Sequence, residues 1–300
     1  MTEPVWVLED PRAGTAAQAL GIAERLGLPF SRITLRYGPL AALPWPIPTL
    51  AGVSDRSVFQ PPWPRLAISA GRRAAPVSRW LRAHGVRTVH CMRPGLGAAD
   101  FDLLVLGAHD APTAAPNRLI IQGATHRISP DVLAHAPPLA GLDVALLLGG
   151  PVRGEGMDPA IAARIARQAA TLGLHLHVTT SRRTGAAAAE AVADALHATP
   201  HLLYRFGEDG PNPYVSLLAG AKRLVVTGDS ISMLSEALMS PAALLIVDPG
   251  KLGPRHRRMA AALYAAGRAA PLGGGLPPAV QAPLDETWRV VREIRARNLL

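Results

Sequence analysis

A single cysteine, Cys91, in 300 residues leaves no room for an internal disulfide or a cysteine-based metal framework. Lysine is almost as scarce, at Lys222 and Lys251 only, yet the formal charge is +9 from 31 basic and 22 acidic residues. Arginine therefore carries nearly all the positive charge, which favours anionic partners. Aromatic residues amount to 4%, too few for the stacking platforms that grip single strands, so nucleic acid is not an expected partner. No stretch approaches 18 unbroken apolar residues, and the opening MTEPVWVLED has neither a basic n-region nor a long apolar one. Neither a membrane span nor a leader is expected, and the cytoplasm is the expected compartment. The sequence also lacks a G-x-G-x-x-G fingerprint, a P-loop, an H-E-x-x-H helix, a serine-hydrolase elbow and clustered metal ligands, so no metal or resident cofactor is expected.

What is present is a regular alternation of short apolar runs with helix-like stretches, the pattern of βαβ units and parallel sheet. Strands are expected near 4–8, 31–36, 65–70, 87–92, 103–108 and 118–122, then near 143–149, 175–180, 201–206, 223–227 and 243–247. Helices fit near 13–26, 74–84, 158–172, 186–197, 213–220, 230–239, 255–266 and 286–298. Runs such as Ala145-Leu146-Leu147-Leu148 do not alternate, as expected of strands covered on both faces. The Pro- and Gly-containing break near 130–142 reads as a linker between two doubly wound α/β domains facing across a cleft. The expected division is 1–138, 139–280 and a C-terminal helix in 281–300 that packs back on the first domain or, through Trp288 and its arginines, touches a membrane surface. Residues 38–64 hold seven prolines with Trp45 and Trp63, and read as an ordered surface loop packed through its tryptophans, the alternative being a loop that touches the acceptor or a membrane.

In open α/β sheets ligands bind beyond the carboxyl ends of the strands, so the turns after each strand are the places for chemistry. The first turn carries Asp10, Arg12 and Gly14, the glycine permitting a tight turn or close ligand approach. Gly71-Arg72-Arg73 follows the strand ending near Ala70, and His109-Asp110 follow Leu103–Leu106 as a candidate base and its neighbour. In the second half, Gly149-Gly150 with Arg153 and Gly154 beyond offer backbone N–H groups to a phosphate. Ser181-Arg182-Arg183 places two guanidiniums ahead of a helix start, where an anion would offset their opposition to the helix dipole. The segment LVVTGDSISMLSEAL turns at Gly228, offers Asp229, Ser230 and Ser232 as caps and donors, and then carries Glu236. A carboxylate there can accept two hydrogen bonds from a vicinal diol such as a ribose; the alternative is an exposed Glu236 or one paired with Lys222 or Arg223.

The strings WVLEDPRAGTAAQALGIAERLG, ISAGRR, FDLLVLGAHD, APNRLIIQGATHRI, LLLGGP, TTSRRT and NPYVSLLAGAKRLVVTGDSISMLSEAL resemble, in order and spacing over residues 5–248, the mitochondrial-fission "elongated mitochondria" (ELM) family. Bacterial members of that family are assigned as glycosyltransferases by inference, and plant members are peripheral outer-mitochondrial-membrane factors. The resemblance implies a GT-B-like architecture of two Rossmann-like domains, the second holding a nucleotide-diphosphate sugar and the first the acceptor. A further similarity, to the nucleotide-binding segment of lipid-disaccharide-forming GT-B transferases, implies a ribose on Glu236 and a diphosphate near the Ser230, Ile231, Ser232 and Met233 backbone. Gly149, Gly150, Ser181 and Arg182 would then border the same cleft.

The expected activity is a metal-independent transfer from a nucleotide-diphosphate sugar to a lipid or cell-envelope glycan acceptor, at the inner face of a membrane through peripheral contact. Asp10, His109 and Asp110 are the candidate bases, and Arg12, Gly14, Gly71 and Arg72 the acceptor or anion side. Two rivals stand beside it: a non-catalytic membrane adaptor that keeps the fold, and a nucleotide-sugar epimerase that shares fold and ligand.

Overall fold

The computed structural model describes residues 4–151, 156–277 and 282–300. Arg153 and Gly154 lie outside them. The chain divides into two compact units, residues 1–127 with 285–300, and residues 128–284.

Unit 1 begins with β1 (Val5–Glu9), α1 (Ala13–Leu26), β2 (Phe30–Thr34), β3 (Leu66–Ala70), α2 (Ala75–Ala83), β4 (Arg87–Cys91), β5 (Leu103–Gly107) and β6 (Arg118–Ile121). The segment near 130–142, expected as linker, opens instead with the short helix α3 (Pro130–Ala134), close after the start of unit 2 at Ile128. Its sequence explains it: the Ser129 hydroxyl accepts the Val132 N–H at 3.0 Å and Pro130 fills N1, where no donor is needed. Unit 2 continues with β7 (Val144–Leu148), α4 (Pro159–Ala170), β8 (Leu176–Thr180), α5 (Ala186–Leu196), β9 (His201–Tyr204), α6 (Tyr214–Gly220), β10 (Arg223–Thr227), α7 (Ile231–Ala237), β11 (Ala243–Val247), α8 (Pro254–Ala265) and the two-residue β12 (Ala270–Pro271). The chain then returns to unit 1 as α9 (Glu286–Ala296).

Both sheets are parallel, ordered β2-β1-β3-β4-β5-β6 and β12-β11-β10-β7-β8-β9. The central strands β3, β5, β7 and β8 are buried at all five positions, whereas edge strand β2 is only half covered. Strand order reverses between β1 and β3 in the first sheet and between β7 and β10 in the second, so each unit has a switch-point crevice at its strands' carboxyl ends.

The C-terminal helix is built into unit 1. Val290, Val291 and Ile294 join the core formed by α1 and the β1, β3 and β5 side chains. Thr287 Oγ1 accepts the His126 N–H at 3.0 Å and donates to its carbonyl at 3.1 Å, while Glu286 Oε1 accepts the Gln122 N–H at 2.9 Å. Trp288 stays 39% exposed, with the Arg25 and Arg295 guanidiniums 5.6 and 5.5 Å from its ring. In the proline-rich loop, Trp63 packs edge-on against Trp6 and Trp80 at 6.1 and 5.6 Å, and Trp45 Nε1 donates to the Leu40 carbonyl. Among the described residues no helix is long and apolar enough to cross a membrane.

Candidate functional site

At the unit 1 switch point, the turn after β1 meets the turn after β3. Buried Asp10 accepts the Arg12 N–H at 2.9 Å and lies 2.9 and 3.1 Å from Arg73 Nη2, one contact to each carboxylate oxygen. Of the Arg72-Arg73 pair after β3, Arg73 makes this contact, while Arg72, the candidate for the acceptor or anion side, is exposed. The Arg73 guanidinium also lies 4.3 Å from the Tyr37 ring centroid. Asp10 is thus committed to an ion pair, which competes with proton transfer. Gly14 does not form the expected tight turn: it sits in the first turn of α1. Gly71 does turn the chain, with φ at +84°, and a Cβ there would meet Thr15 Cγ2 at 2.9 Å. Exposed Arg12 precedes α1. His109 and Asp110 occupy a single turn of 3₁₀ helix after β5, with His109 buried and its Nε2 3.9 Å from Asp110 Oδ2, beyond hydrogen-bond length.

The unit 2 switch point is more elaborate. Thr227, the last residue of β10, accepts the Gly149 N–H on Oγ1 at 2.8 Å, and Asp229 Oδ2 accepts the Gly150 N–H at 2.6 Å. The two amides expected to face a phosphate are therefore spent inside the protein. The reason these residues are glycines is packing. A Cβ on Gly149 would sit 2.8 Å from both Asp229 oxygens, and one on Gly150 would sit 2.0 Å from the Arg183 carbonyl oxygen.

The SRRT string is a clasp. Ser181 Oγ donates to the Gly149 carbonyl at 3.0 Å, and the Thr184 hydroxyl lies 2.9 and 2.6 Å from the Leu148 and Gly149 carbonyls while accepting the Ser181 N–H at 2.8 Å. Ser181 and Thr184 thus tie the ends of β7 and β8 together. Arg182, exposed, and Arg183, half-buried, are carried on that clasp. Arg183 Nη1 is 3.9 Å from Asp229 Oδ2, so part of the anion that its position called for is the protein's own. Asp229 is 9% exposed, and among the described residues its buried Oδ1 has no hydrogen-bond partner.

A cavity of about 700 Å³ opens at this crevice. Gly150, Met157, Asp158 and Asp229 are among the residues that line it; the β11–α8 turn supplies Lys251 and Leu252, and α8 supplies Arg255 and His256. Sequence reading missed this basic turn, although Pro249-Gly250-Lys251-Leu252-Gly253-Pro254 is another strand-turn-helix junction.

Beside the crevice, α7 starts at Ser230, whose hydroxyl accepts the Met233 N–H at 3.4 Å. Ser232 and Met233 are half-buried. Glu236, one turn on, pairs with neither Lys222 nor Arg223, which both go to Asp143 at 3.4 and 3.5 Å. Its Oε2 accepts the hydroxyl of Tyr214, a residue 22 positions earlier that nothing in the sequence singles out. Burial pushes the Glu236 carboxyl up to about 7, against the opposing pull of the Tyr214 hydrogen bond. The same burial, and the Glu236 charge, hold the Tyr214 phenol well above its usual range.

Solved structures share this fold. MurG from Acinetobacter baumannii is 12% identical with a TM-score of 0.52, the match covering 98% of this chain and 91% of that one. The spinosyn forosaminyltransferase SpnP is 14% identical with a TM-score of 0.56, covering 100% and 91%. Os79 from O. sativa, solved in complex with UDP, is 13% identical with a TM-score of 0.53, covering 98% and 91%. At these identities the likeness is one of fold: two doubly wound α/β units, the fold of GT-B glycosyltransferases. Within it, residues 13–298 match the family model described as "Mitochondrial fission ELM1", and the chain belongs to that family. A relative from Rickettsia prowazekii (strain Madrid E), the uncharacterized protein RP120, is 27% identical over 297 positions, covering 82% of this chain and 83% of that protein.

Proposed function

We propose that this protein transfers a sugar from a nucleotide diphosphate to a lipid or cell-envelope glycan acceptor, acting at the cytoplasmic face of a membrane. The observation that carries the reading is the unit 2 switch point, where a cavity edged by Lys251, Arg255 and His256 adjoins the strand-turn-helix that presents Glu236. Glu236 receives the ribose diol, and the Arg182–Arg183 turn and the basic cavity wall receive the diphosphate. In this reading Gly149 and Gly150 shape the crevice rather than donate to phosphate, while Asp229 is left with one uncommitted oxygen for a donor hydroxyl.

Transfer breaks the bond between the anomeric carbon and the diphosphate oxygen as an acceptor hydroxyl attacks that carbon and gives up its proton. Cationic side chains fixed where charge develops on the leaving diphosphate lower the barrier without reorganising during the reaction. The acceptor is assigned to unit 1. Of the three candidate bases there, His109 with Asp110 is preferred, because Asp10 is held by Arg73.

Release of nucleoside diphosphate from a panel of nucleotide sugars, with and without membrane lipid extract, tests the proposal. Acceptor-dependent release that falls at least tenfold in Glu236→Ala is expected. Conversion of the donor sugar without acceptor would point to an epimerase, and no turnover of any donor would contradict transfer.

A further inference from the structure

Among the described residues, the Tyr214 hydroxyl is the hydrogen-bonding partner of the Glu236 carboxylate. The pair joins α6 to α7 from within a largely buried setting in which Glu236 keeps partial access to solvent. Neither Lys222 nor Arg223 stands in for the phenol, since both are engaged by Asp143. On the reading that Glu236 receives a ribose, we propose that Tyr214 is its positioning residue, fixing the carboxylate's orientation and keeping it in the acceptor form that a vicinal diol requires.

The chemistry of the two groups supports this. A diol offers two O–H donors, and an ionised carboxylate meets them with acceptors only; a protonated carboxyl turns one of its positions into a donor and loses the match. Each carboxylate oxygen has two lone pairs, so Oε2 can hold the phenol and a ribose hydroxyl together while Oε1 takes the other. Even with the Tyr214 bond pulling the other way, burial holds the Glu236 carboxyl up at about 7; without the phenol it would lie higher still and carry its proton over more of the neutral range. Burial comes first among the influences on that value and the Tyr214 bond is the one that opposes it, so the phenol governs how far the acceptor form survives.

The test measures binding of nucleoside diphosphates between pH 5.5 and 9 to the parent, Tyr214→Phe and Glu236→Gln, with the Glu236 carboxyl followed by ¹³C NMR. In the parent, affinity should fall as pH drops through the Glu236 midpoint. In Tyr214→Phe the midpoint should move to higher pH in both readouts, with binding roughly tenfold weaker near neutrality. In Glu236→Gln the acidic limb should disappear. If Tyr214→Phe does not fold, biosynthetic replacement of the four tyrosines by 3-fluorotyrosine, a stronger donor, should move the midpoint down instead. A midpoint that neither change moves, with the acidic limb still absent in Glu236→Gln, overturns the positioning role alone. Failure of every nucleotide to bind the parent overturns the ribose reading and this proposal with it.

Discussion

The α-carbon of Gly150 packs so closely on the Arg183 carbonyl that a Cβ would lie 2.0 Å from that oxygen. The contact joins the turn after β7 to the turn after β8, and the turn after β10 completes it by accepting the Gly149 and Gly150 amides. Three strand ends are thus pinned into one rigid crevice.

Gly150→Ala should therefore force the two turns apart. Overpacking of this kind costs about 1–3 kcal/mol, a drop of a few degrees in melting temperature that nucleotide binding should share. Gly38→Ala is the control, because a Cβ there meets nothing within 4 Å and its φ is −88°. That variant should melt with the parent, as followed by circular dichroism.

Thr184→Val removes the hydroxyl that reaches the Leu148 and Gly149 carbonyls and leaves the Ser181 N–H without that acceptor. The side chain is fully buried, so the expected loss is about 1–3 kcal/mol, visible as an earlier urea midpoint. Thr184→Ser keeps the hydroxyl and should recover most of it.

His90 supplies a pH signature for unit 1. The imidazole is fully buried, hydrogen-bonds Ser69 Oγ through Nδ1 at 2.7 Å, stacks on Phe101, and is pushed down to about 3 by burial. The unfolded chain binds this proton below about pH 6.5, whereas the folded chain resists it until about 3. The unfolded state thus holds more protons in that window, and stability falls as pH drops through it, by up to ~1.4 kcal/mol per pH unit. His90→Phe should flatten the acid limb of a melting-temperature profile against pH.

The C-terminal helix gives a contrast between buried and exposed faces. Ile294→Ala should cost about 2–5 kcal/mol because it opens a cavity in the unit 1 core. Exposed Arg292→Ala should stay within about 0.5 kcal/mol. Removal of 285–300 should unfold unit 1, so loss of membrane or partner association in that truncation would not by itself argue for an adaptor helix.

Much of the fold was legible in the chain because its local signals agree. The non-alternating runs at Leu66–Ala70, Leu103–Gly107 and Val144–Leu148, apolar but for Ser69, are fully buried central strands, and the alternation of strand and helix matches the two parallel sheets. The helix at 130–134 was hidden among prolines, although Ser129-Pro130 is itself a helix-start signal. The candidate site was legible only as a set of turns. Which residue in each turn faces a ligand and which holds the turn together depends on partners far apart in sequence. Thr227 with Gly149, Asp229 with Gly150, Arg73 with Asp10 and Tyr214 with Glu236 are all brought together by strand order, which no local pattern encodes.

On the proposed function, Glu236 and its neighbours hold a nucleotide. The most direct measurement is a thermal shift of the parent and Glu236→Ala against UDP, GDP, ADP, CDP and dTDP. One nucleotide at 100 times its dissociation constant should stabilise the parent by about 2.7 kcal/mol and Glu236→Ala by far less. Equal shifts for the two proteins, or no shift with any nucleotide, would contradict it.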